Sequence, residues 1–401
     1  MSPLADRLAE LASPGPRGSD TRATNTPEAW RPRMEIDAKG GYLVSTPHSA
    51  NEMPDAAEIL KDFGLDPELW VVTGLRRSKW QTYYGEWLEA YRITVAPAET
   101  VSDAKSDLDL ESLVDEIRKW RPRKAEKNIT GDLAYLLAPS DQQIGKKQGG
   151  EGTAESVARI LNGTEGAVWR LDELRKVGRG IGTVVLALPG DHVEGNVSQN
   201  GKLQGQAASD LGLTEQTRVA RRLLMGQIKT FAPKCERLIV PVVNGNHDEV
   251  TRMVSADPSD GWNVEIASAV QDACAENPEL GHVEFRFPDI DHQTLAVNIN
   301  GTMLGLFHGH QAGKDVLKYL SGQAAGQTAL GMCDLWISGH FHNYKCMDIG
   351  QRFWVQAPTT DPGSAWFRDR TGMDAPTGIL TMVIGEGYNP RRDVSIIPTV
   401  L

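Results

Sequence analysis

Residues 183–194 read TVVLALPGDHVE, an apolar run that ends abruptly in polar residues. The run Thr183–Leu188 is rich in β-branched and aliphatic side chains, which is typical of a buried strand. Gly190, Asp191 and Glu194 follow it directly. Because α/β sheets expose their functional groups at strand ends, this stretch predicts a strand that delivers Asp191 to a functional site.

The same arrangement recurs four times along the chain, each time as a candidate strand followed by a short polar motif. The candidate strands are Leu133–Ala138, Arg237–Val243, Met303–Phe307 and Asp334–Ser338. The motifs after them are Asp141-Gln142-Gln143, Gly245-Asn246-His247-Asp248-Glu249, His308-Gly309-His310 and Gly339-His340-Phe341-His342. Any one of these motifs also occurs in ordinary turns and helix caps, so the evidence lies in their combination.

From residue 131 onward, β-rich runs alternate with amphipathic helical stretches, which is the pattern of an α/β domain. Asn300-Gly301 indicates a hairpin turn before Met303. Further strands are predicted at Thr294–Ile299, Phe353–Gln356 and Ile379–Ile384, and helices at Glu155–Leu161, Thr214–Phe231, Asn263–Ala275 and Lys314–Ala325.

The length of 401 residues allows one large domain and a smaller one. The composition predicts a flexible tail at 1–24, a small, mostly helical accessory domain at 25–100, a charged linker or helix at 101–130 and the main domain at 131–401. Within the accessory domain, a helix over Asp55–Phe63 should end at Gly64, and Asp66-Pro67 should begin a second one.

The aromatic segment Trp70–Ile93 has two interpretations. Trp and Tyr at three- to four-residue spacing usually pack into a core, which favours a small hydrophobic core. The alternative is a nucleic-acid surface, with Arg76, Arg77 and Lys79 on phosphates and exposed aromatics on bases. The basic segment Arg118–Lys127 also has two interpretations, the solvated face of a helix and a nucleic-acid contact.

The composition also limits the class of protein. The net charge of −11 argues against a surface built mainly for polyanions. The four cysteines show no Cys-x-x-Cys spacing, so neither a zinc ribbon nor a disulfide framework is indicated. Since neither a signal peptide nor a membrane span is evident, a cytoplasmic location is expected.

In chain order, the five motifs resemble the signature of the calcineurin-like metallophosphoesterases. The resemblance implies an α/β sandwich, in which two mixed β-sheets are flanked by helices in four layers, and a centre for two divalent ions. At Gln143 the sequence differs, because the family's first motif ends in histidine. The segments Leu213–Phe231 and Asn244–Glu249 also make residues 131–401 similar to phage-encoded members grouped with double-strand-break-repair exonucleases. A phage origin would place the protein in the cytoplasm of the host cell.

Carried over residue by residue, the family pattern implies two ligand sets that share Asp191. One set is Asp141, Gln143, Asp191 and His342, and the other is Asp191, Asn246, His308 and His340. We choose His308 because it directly ends a strand, which leaves His310 as an outer or substrate contact. Mn²⁺ is the expected ion, with Mg²⁺, Fe²⁺ and Zn²⁺ as alternatives, and the neutral amide of Gln143 favours the harder ions.

The resemblance also implies how the reaction would proceed. His247 is the expected general acid, oriented by Glu194, with Asp248 as a competing orienter. Metal-activated hydroxide would attack the phosphorus of a phosphodiester. Independently of the resemblance, Trp366, Arg368 and Arg370 in the loop Thr359–Gly378 are candidate substrate contacts, and the loop Asn196–Gly212 is a candidate rim or lid. The alternative for both loops is an ordinary mobile surface loop.

Several functions remain open at this stage. DNA is the leading substrate, which makes a nuclease the first hypothesis. A phosphomonoesterase or a nucleotide phosphodiesterase is the runner-up, and a non-catalytic interaction scaffold is the hypothesis of another class. No membrane association is expected, while a homo-oligomer or a partner ATPase stays open.

Overall fold

The computed structural model describes residues 33–37, 40–45, 48–49, 56–81, 87–97, 109–119, 129–147, 151–198, 202–203, 209–251, 257–361, 372 and 376–399. The chain divides into two compact units, Met1–Lys105 and Ser106–Leu401. The predicted tail at 1–24, most of the segment 101–130, and Trp366, Arg368 and Arg370 lie outside the described residues. No helix in the described part of the chain is long and apolar enough to cross a membrane.

The first unit is built around an antiparallel sheet. Its described elements are β1 (Arg33–Asp37), β2 (Gly40–Val44), β3 (His48–Ser49), α1 (Ala56–Asp62), β4 (Trp70–Gln81) and β5 (Trp87–Pro97). Strand β5 pairs with β2 and β3 on one side and with β4 on the other, and β1 extends the sheet beyond β2. Tyr91, Ile93 and Val95 alternate along β5 and pack against Ile59 and Leu60 of α1.

The prediction of a mostly helical accessory domain is therefore wrong for the described residues. Helix α1 forms as expected, and Gly64 follows it with a φ of 74°. However, 66–69 is only a turn, and the chain continues into the long strand β4. Aromatic and β-branched side chains have high strand propensity, which outweighs the helix-start signal of Asp66-Pro67. The burial of Trp70 and Tyr91 agrees with the hydrophobic-core interpretation, while Trp87 is 52% exposed.

The second unit contains two mixed sheets. Its described strands are β6 (Leu133–Ala138), β7 (Ile181–Leu186), β8 (Val197–Ser198), β9 (Lys202–Leu203), β10 (Arg237–Pro241), β11 (Val283–Arg286), β12 (Thr294–Ile299), β13 (Thr302–Phe307), β14 (Leu335–Ser338), β15 (Lys345–Ile349), β16 (Arg352–Gln356), β17 (Gly378–Ile384) and β18 (Ser395–Pro398). One sheet has the order β11-β10-β7-β6-β17-β18 and the other β12-β13-β14-β16-β15, while β8 and β9 form a separate short hairpin.

The described helices of this unit are α2 (Leu110–Lys119), α3 (Thr153–Lys176), α4 (Leu213–Phe231), α5 (Trp262–Ala275) and α6 (Val316–Ala325). Helices α3, α4 and α5 pack on the outer face of the first sheet, and α6 packs on the outer face of the second. Helix α2 packs against α4.

Alternate side chains of single strands enter different cores, which establishes the layers. Leu136 of β6 lies in the core between the two sheets, whereas Tyr135 and Leu137 pack towards the helices. On the second sheet, Ile337 of β14 enters the inter-sheet core, whereas Trp336 packs against α6. The alternation follows from the two-residue period of a strand. The predicted sandwich of two mixed sheets flanked by helices is confirmed.

One helix is much longer than predicted, because α3 extends to Lys176 instead of ending near Leu161. Glycines interrupt its apolar pattern, but they serve helix–sheet packing. A Cβ at Gly163 would lie 2.7 Å from Cδ1 of Ile379, and one at Gly166 would lie 2.5 Å from Cγ2 of Ile397. Glycine at these positions lets the helix approach strands β17 and β18 closely.

Candidate metal centre

The five motifs come together because their strands end at common edges. Strands β6, β7 and β10 are parallel neighbours, so the loops after them leave the same edge of the first sheet. Strands β13 and β14 are parallel neighbours in the second sheet. Contacts between His308 and Asp191, and between His340 and Asp141, join the two edges.

The motif loops carry an unusual backbone. Eight described non-glycine residues have positive φ, and five of them belong to the motifs: Asp141 (49°), Gln143 (42°), Asp191 (56°), His340 (72°) and His342 (59°). Each left-handed residue costs on the order of 1–3 kcal/mol, and such residues concentrate at functional sites. The backbone strain therefore indicates that these loops form a functional site.

One group of candidate ligands surrounds Asp191. Nε2 of His308 lies 3.0 Å from Oδ2 of Asp191 and 3.2 Å from Oδ1 of Asn246. Nδ1 of His308 lies 2.8 Å from the carbonyl oxygen of Pro189, to which it donates, so Nε2 faces the group. Ligand atoms of Asp191, His308 and His340 all lie within 4.8 Å of one another. These are the members of one predicted ligand set.

The second group surrounds Asp141. Nε2 of His342 lies 3.4 Å from Oδ1 of Asp141, and Nε2 of Gln143 lies 3.5 Å from the same imidazole nitrogen. The backbone N–H of His340 donates to Oδ2 of Asp141 at 3.0 Å. The hydroxyl of Ser140 also donates to this carboxylate. The structure thus brings Asp141, Gln143 and His342 of the second predicted set together, although Gln143 turns its nitrogen towards His342.

The carboxylates and imidazoles of the centre perturb one another strongly. Burial would raise the pKa of Asp191, but the charges of His308 and His247 outweigh it and lower the pKa below its usual range. Burial would likewise lower the pKa of His308, but Asp191 raises it to about 9. Burial, followed by repulsion from His308, lowers the pKa of His340 to about 4. The centre is a buried cluster of anions and imidazoles that favours bound cations.

His247 lies at the edge of this cluster. Its Nδ1 is 3.0 Å from the carbonyl oxygen of Glu194 and 3.3 Å from Oε2 of the same residue. Its backbone N–H donates to Oδ1 of Asp191 at 2.8 Å. Burial would lower the pKa of His247, but Asp191 and Glu194 raise it to about 10. These two carboxylates favour the protonated ring, whose Nδ1 is turned towards Glu194.

The side chain of Asp248 bonds to the backbone of two motif loops, whereas an orienter of His247 would contact its ring. Its Oδ2 accepts from the backbone N–H groups of Asp191 and Gly245, both at 2.7 Å. Burial and the nearby Asp191 raise its pKa to about 7. The side chain therefore joins the second and third motif loops, while Glu194 lies against the ring of His247.

His310 stands outside the ligand cluster, at the start of a short 3₁₀ helix. Its ring centroid is 5.4 Å from that of His308. It lines a cavity of about 390 Å³ together with Asn244, Glu249, Asp257 and Asp260. The position next to the centre suits the substrate contact expected for His310.

Two residues of the site were not predicted. Lys146 donates to Oε1 of Gln143 at 2.7 Å and pairs with Asp361. Oδ2 of Asp361 also lies 3.5 Å from Nδ1 of His342. Asp361 follows strand β16 after a short loop, a weak version of the strand-end signal, whereas nothing in the local sequence distinguishes Lys146 from a surface lysine.

No protein-family model matches this chain, and no curated protein matches it. Similar solved structures include a mutant of Vps29 from Entamoeba histolytica, with 15% identity, coverage of 63% of this chain and 87% of that one, and a TM-score of 0.29. A predicted phosphoesterase from Streptococcus pneumoniae has 13% identity, coverage of 67% and 90%, and a TM-score of 0.29. An archaeal phosphodiesterase has 13% identity, coverage of 66% and 99%, and a TM-score of 0.32. Likenesses this remote assign neither a family nor an activity.

Proposed function

We propose that this protein is a metal-dependent phosphoesterase that hydrolyses phosphodiester bonds. The observation that carries the proposal is the position of Asp191. Its carboxylate contacts His308 on one oxygen and the backbone N–H of His247 on the other, and its carbonyl oxygen accepts from the backbone N–H of Gln143 at 2.9 Å, so Asp191 adjoins both groups of donors. A carboxylate beside two such groups suits a pair of divalent ions, which a two-metal site holds roughly 3.5–4 Å apart.

The residues present fit such ions. The donors are imidazole, carboxylate and amide groups, which suit Mn²⁺, Fe²⁺ and Zn²⁺, and Asp141 and Asp191 are both buried. Asn246, His308 and His340 would hold one ion with Asp191, and Asp141 and His342 would hold the other with it. When bound, such ions lower the pKa of a water molecule and neutralise charge on phosphoryl oxygens.

The chain itself supplies the proton for the leaving group. We assign that proton to His247, whose Nδ1 faces Glu194 and whose pKa, against the effect of burial, Asp191 and Glu194 raise to about 10 in the ion-free chain. Nδ1 donates to the carbonyl oxygen of Glu194 and faces its carboxylate at 3.3 Å, which leaves Nε2 as the nitrogen that donates to the leaving group. General acids of this kind contribute about 10²–10⁴-fold to a rate. Loss of His247 should therefore impair turnover more than metal binding.

Two observations bear on the substrate. In the first unit, the guanidinium groups of Arg33 and Arg92 lie 5.1 and 4.4 Å from the centroid of the Tyr42 ring. Basic groups beside an aromatic ring are suited to nucleic acid, which supports DNA as the substrate. The cavity beside His310 instead carries the acidic residues Glu249, Asp257 and Asp260, which repel a polyanion such as DNA more strongly than a small phosphate ester and so support the runner-up.

Hydrolysis assays with Mn²⁺ test these alternatives. We expect the wild-type chain to hydrolyse bis-p-nitrophenyl phosphate faster than the monoester, and labelled single- or double-stranded DNA to be cleaved. Cleavage of nucleotide diesters without cleavage of DNA would support the runner-up. The matched control is His247→Ala, which should retain its ions. No turnover of any ester by ion-loaded protein would refute the proposal and favour a scaffold.

A further inference from the structure

A lysine lies against the Asp141 side of the candidate centre. Lys146 donates to Oε1 of Gln143 at 2.7 Å and forms an ion pair with Asp361. The side chain of Lys146 is only 12% exposed, and that of Asp361 is fully buried. A surface lysine without partners is mobile and solvated, whereas Lys146 is partly buried and bonded to two partners. We therefore count Lys146 as part of the site.

Lys146 fixes the orientation of the Gln143 amide. An ammonium group has only donors, so the atom that faces it must be the amide oxygen. The amide nitrogen then faces His342, at 3.5 Å from Nε2. An amide nitrogen offers no lone pair to a cation, and carbonyl oxygens are the amide atoms that bind metal ions. In this arrangement Gln143 presents the wrong atom to the centre.

Lys146 also places a positive charge beside one half of the centre. Its partner Asp361 lies 3.5 Å from Nδ1 of His342, so the ion pair adjoins the Asp141 and His342 group. Buried like charges repel strongly, because the medium around them screens poorly. The opposite group, Asp191, His308 and His340, has its own ligand atoms within 4.8 Å of one another.

We propose that Lys146 makes the two ion sites unequal: it removes Gln143 from the ligand set and weakens binding of the ion held by Asp141 and His342. The inference rests on the proposed function, since it assumes that both groups bind ions. The ion at Asp191, Asn246, His308 and His340 binds first, and the ion at Asp141 and His342 binds second and more weakly.

Calorimetric titration of the metal-free full-length chain with Mn²⁺ tests the inference without any activity measurement. We expect two binding steps in the wild type, separated by about tenfold or more in Kd. Lys146→Met should tighten the second step by about tenfold, since the charge of Asp361 is then unopposed, and should leave the first within about threefold. The control Lys146→Arg keeps the charge and should retain a weak second step.

A second variant avoids any dependence on the folding of Lys146→Met. If Gln143 is not a ligand, Gln143→Ala should leave both Kd values within about threefold, whereas Asn246→Ala should weaken the first step by about tenfold or more. Loss of the second step in Gln143→Ala, or an unchanged second step in folded Lys146→Met, would overturn the inference but not the proposed function. Absence of Mn²⁺ binding by the wild type would overturn both.

Discussion

Substitution of Gly245 should impair ion binding, because any side chain at this position would clash with the carboxylate of Asp191. A Cβ built on Gly245 would lie 2.0 Å from Oδ1 of Asp191 and 2.8 Å from its backbone nitrogen, whereas real Cβ contacts essentially never fall below 3.0 Å. Oδ1 also accepts from the backbone N–H of His247 at 2.8 Å. In Gly245→Ala the carboxylate must therefore move by about 1 Å, or the loop must shift by as much.

The expected magnitude follows from the tolerance of metal sites. Ligand distances vary by only about 0.2 Å, so a 1 Å displacement of Asp191 takes it out of position. Loss of the supports that orient a ligand typically costs 10–100-fold in metal affinity, and we expect Gly245→Ala to lose at least roughly that much for Mn²⁺. Overpacking should also lower the free energy of unfolding by about 1–3 kcal/mol.

Mn²⁺ titration and thermal unfolding, run side by side on the two proteins, measure both effects. Gly322→Ala is the matched control, because a Cβ at Gly322 in helix α6 would meet nothing within 4 Å. That variant should bind Mn²⁺ normally and unfold at the same or a higher temperature, since alanine favours helices by up to about 1 kcal/mol. Wild-type Mn²⁺ affinity in Gly245→Ala would refute the packing argument.

Three further predictions concern the acid, the ligands and the core. His247→Ala should keep its Mn²⁺ content but lose about 10²-fold or more in turnover, and equal rates of the two ion-loaded proteins would contradict its role. Asp191 raises the pKa of His308 to about 9 against the effect of burial, so binding of an ion should release a proton from His308. Mn²⁺ affinity should therefore fall by up to about tenfold for each pH unit below that pKa. Calorimetry in buffers of different ionisation enthalpy counts the released proton, and a pH-independent Kd would rule this prediction out. Leu171→Ala, in the helix–sheet core, should cost about 2–5 kcal/mol in chemical denaturation, whereas Trp169→Ala, at a residue 52% exposed on the same helix, should cost much less.

The central strands could be predicted because they are buried on both faces. Leu133–Ala138 has the predicted bounds, and the other predicted strands agree within a few residues. Thr294–Ile299 also has the predicted bounds although it lies at a sheet edge, because its apolar run and the hairpin turn Asn300-Gly301 identify it. The strands of the first unit were missed as a group, since that unit was predicted to be mostly helical. In the two large sheets of the second unit, the missed strands are Val283–Arg286, Lys345–Ile349 and Ser395–Pro398, and each lies at an edge. Edge strands are partly solvated, so their sequences mix polar and apolar residues and give no continuous apolar run.

The candidate centre was predictable only in part, for a physical reason. His308 directly follows a strand and Asp191 follows one after a short loop, and both belong to short polar motifs that the local sequence identifies. Lys146 and Asp361 meet through a contact between residues 215 positions apart. No local signal encodes such a pairing. The orientation of Gln143 depends on that pairing, and therefore it could not be read from the motif.

The positive-φ residues of the motif loops should make the stability of the fold depend on the concentration of free metal ion. Asp141, Gln143, Asp191, His340 and His342 hold backbone conformations that the chain would abandon if nothing compensated them. A ligand that binds only the folded state stabilises it by about 2.7 kcal/mol at one hundred times its Kd. A chelator should thus behave as a mild denaturant of this sandwich, and its melting temperature should report the concentration of free divalent cation.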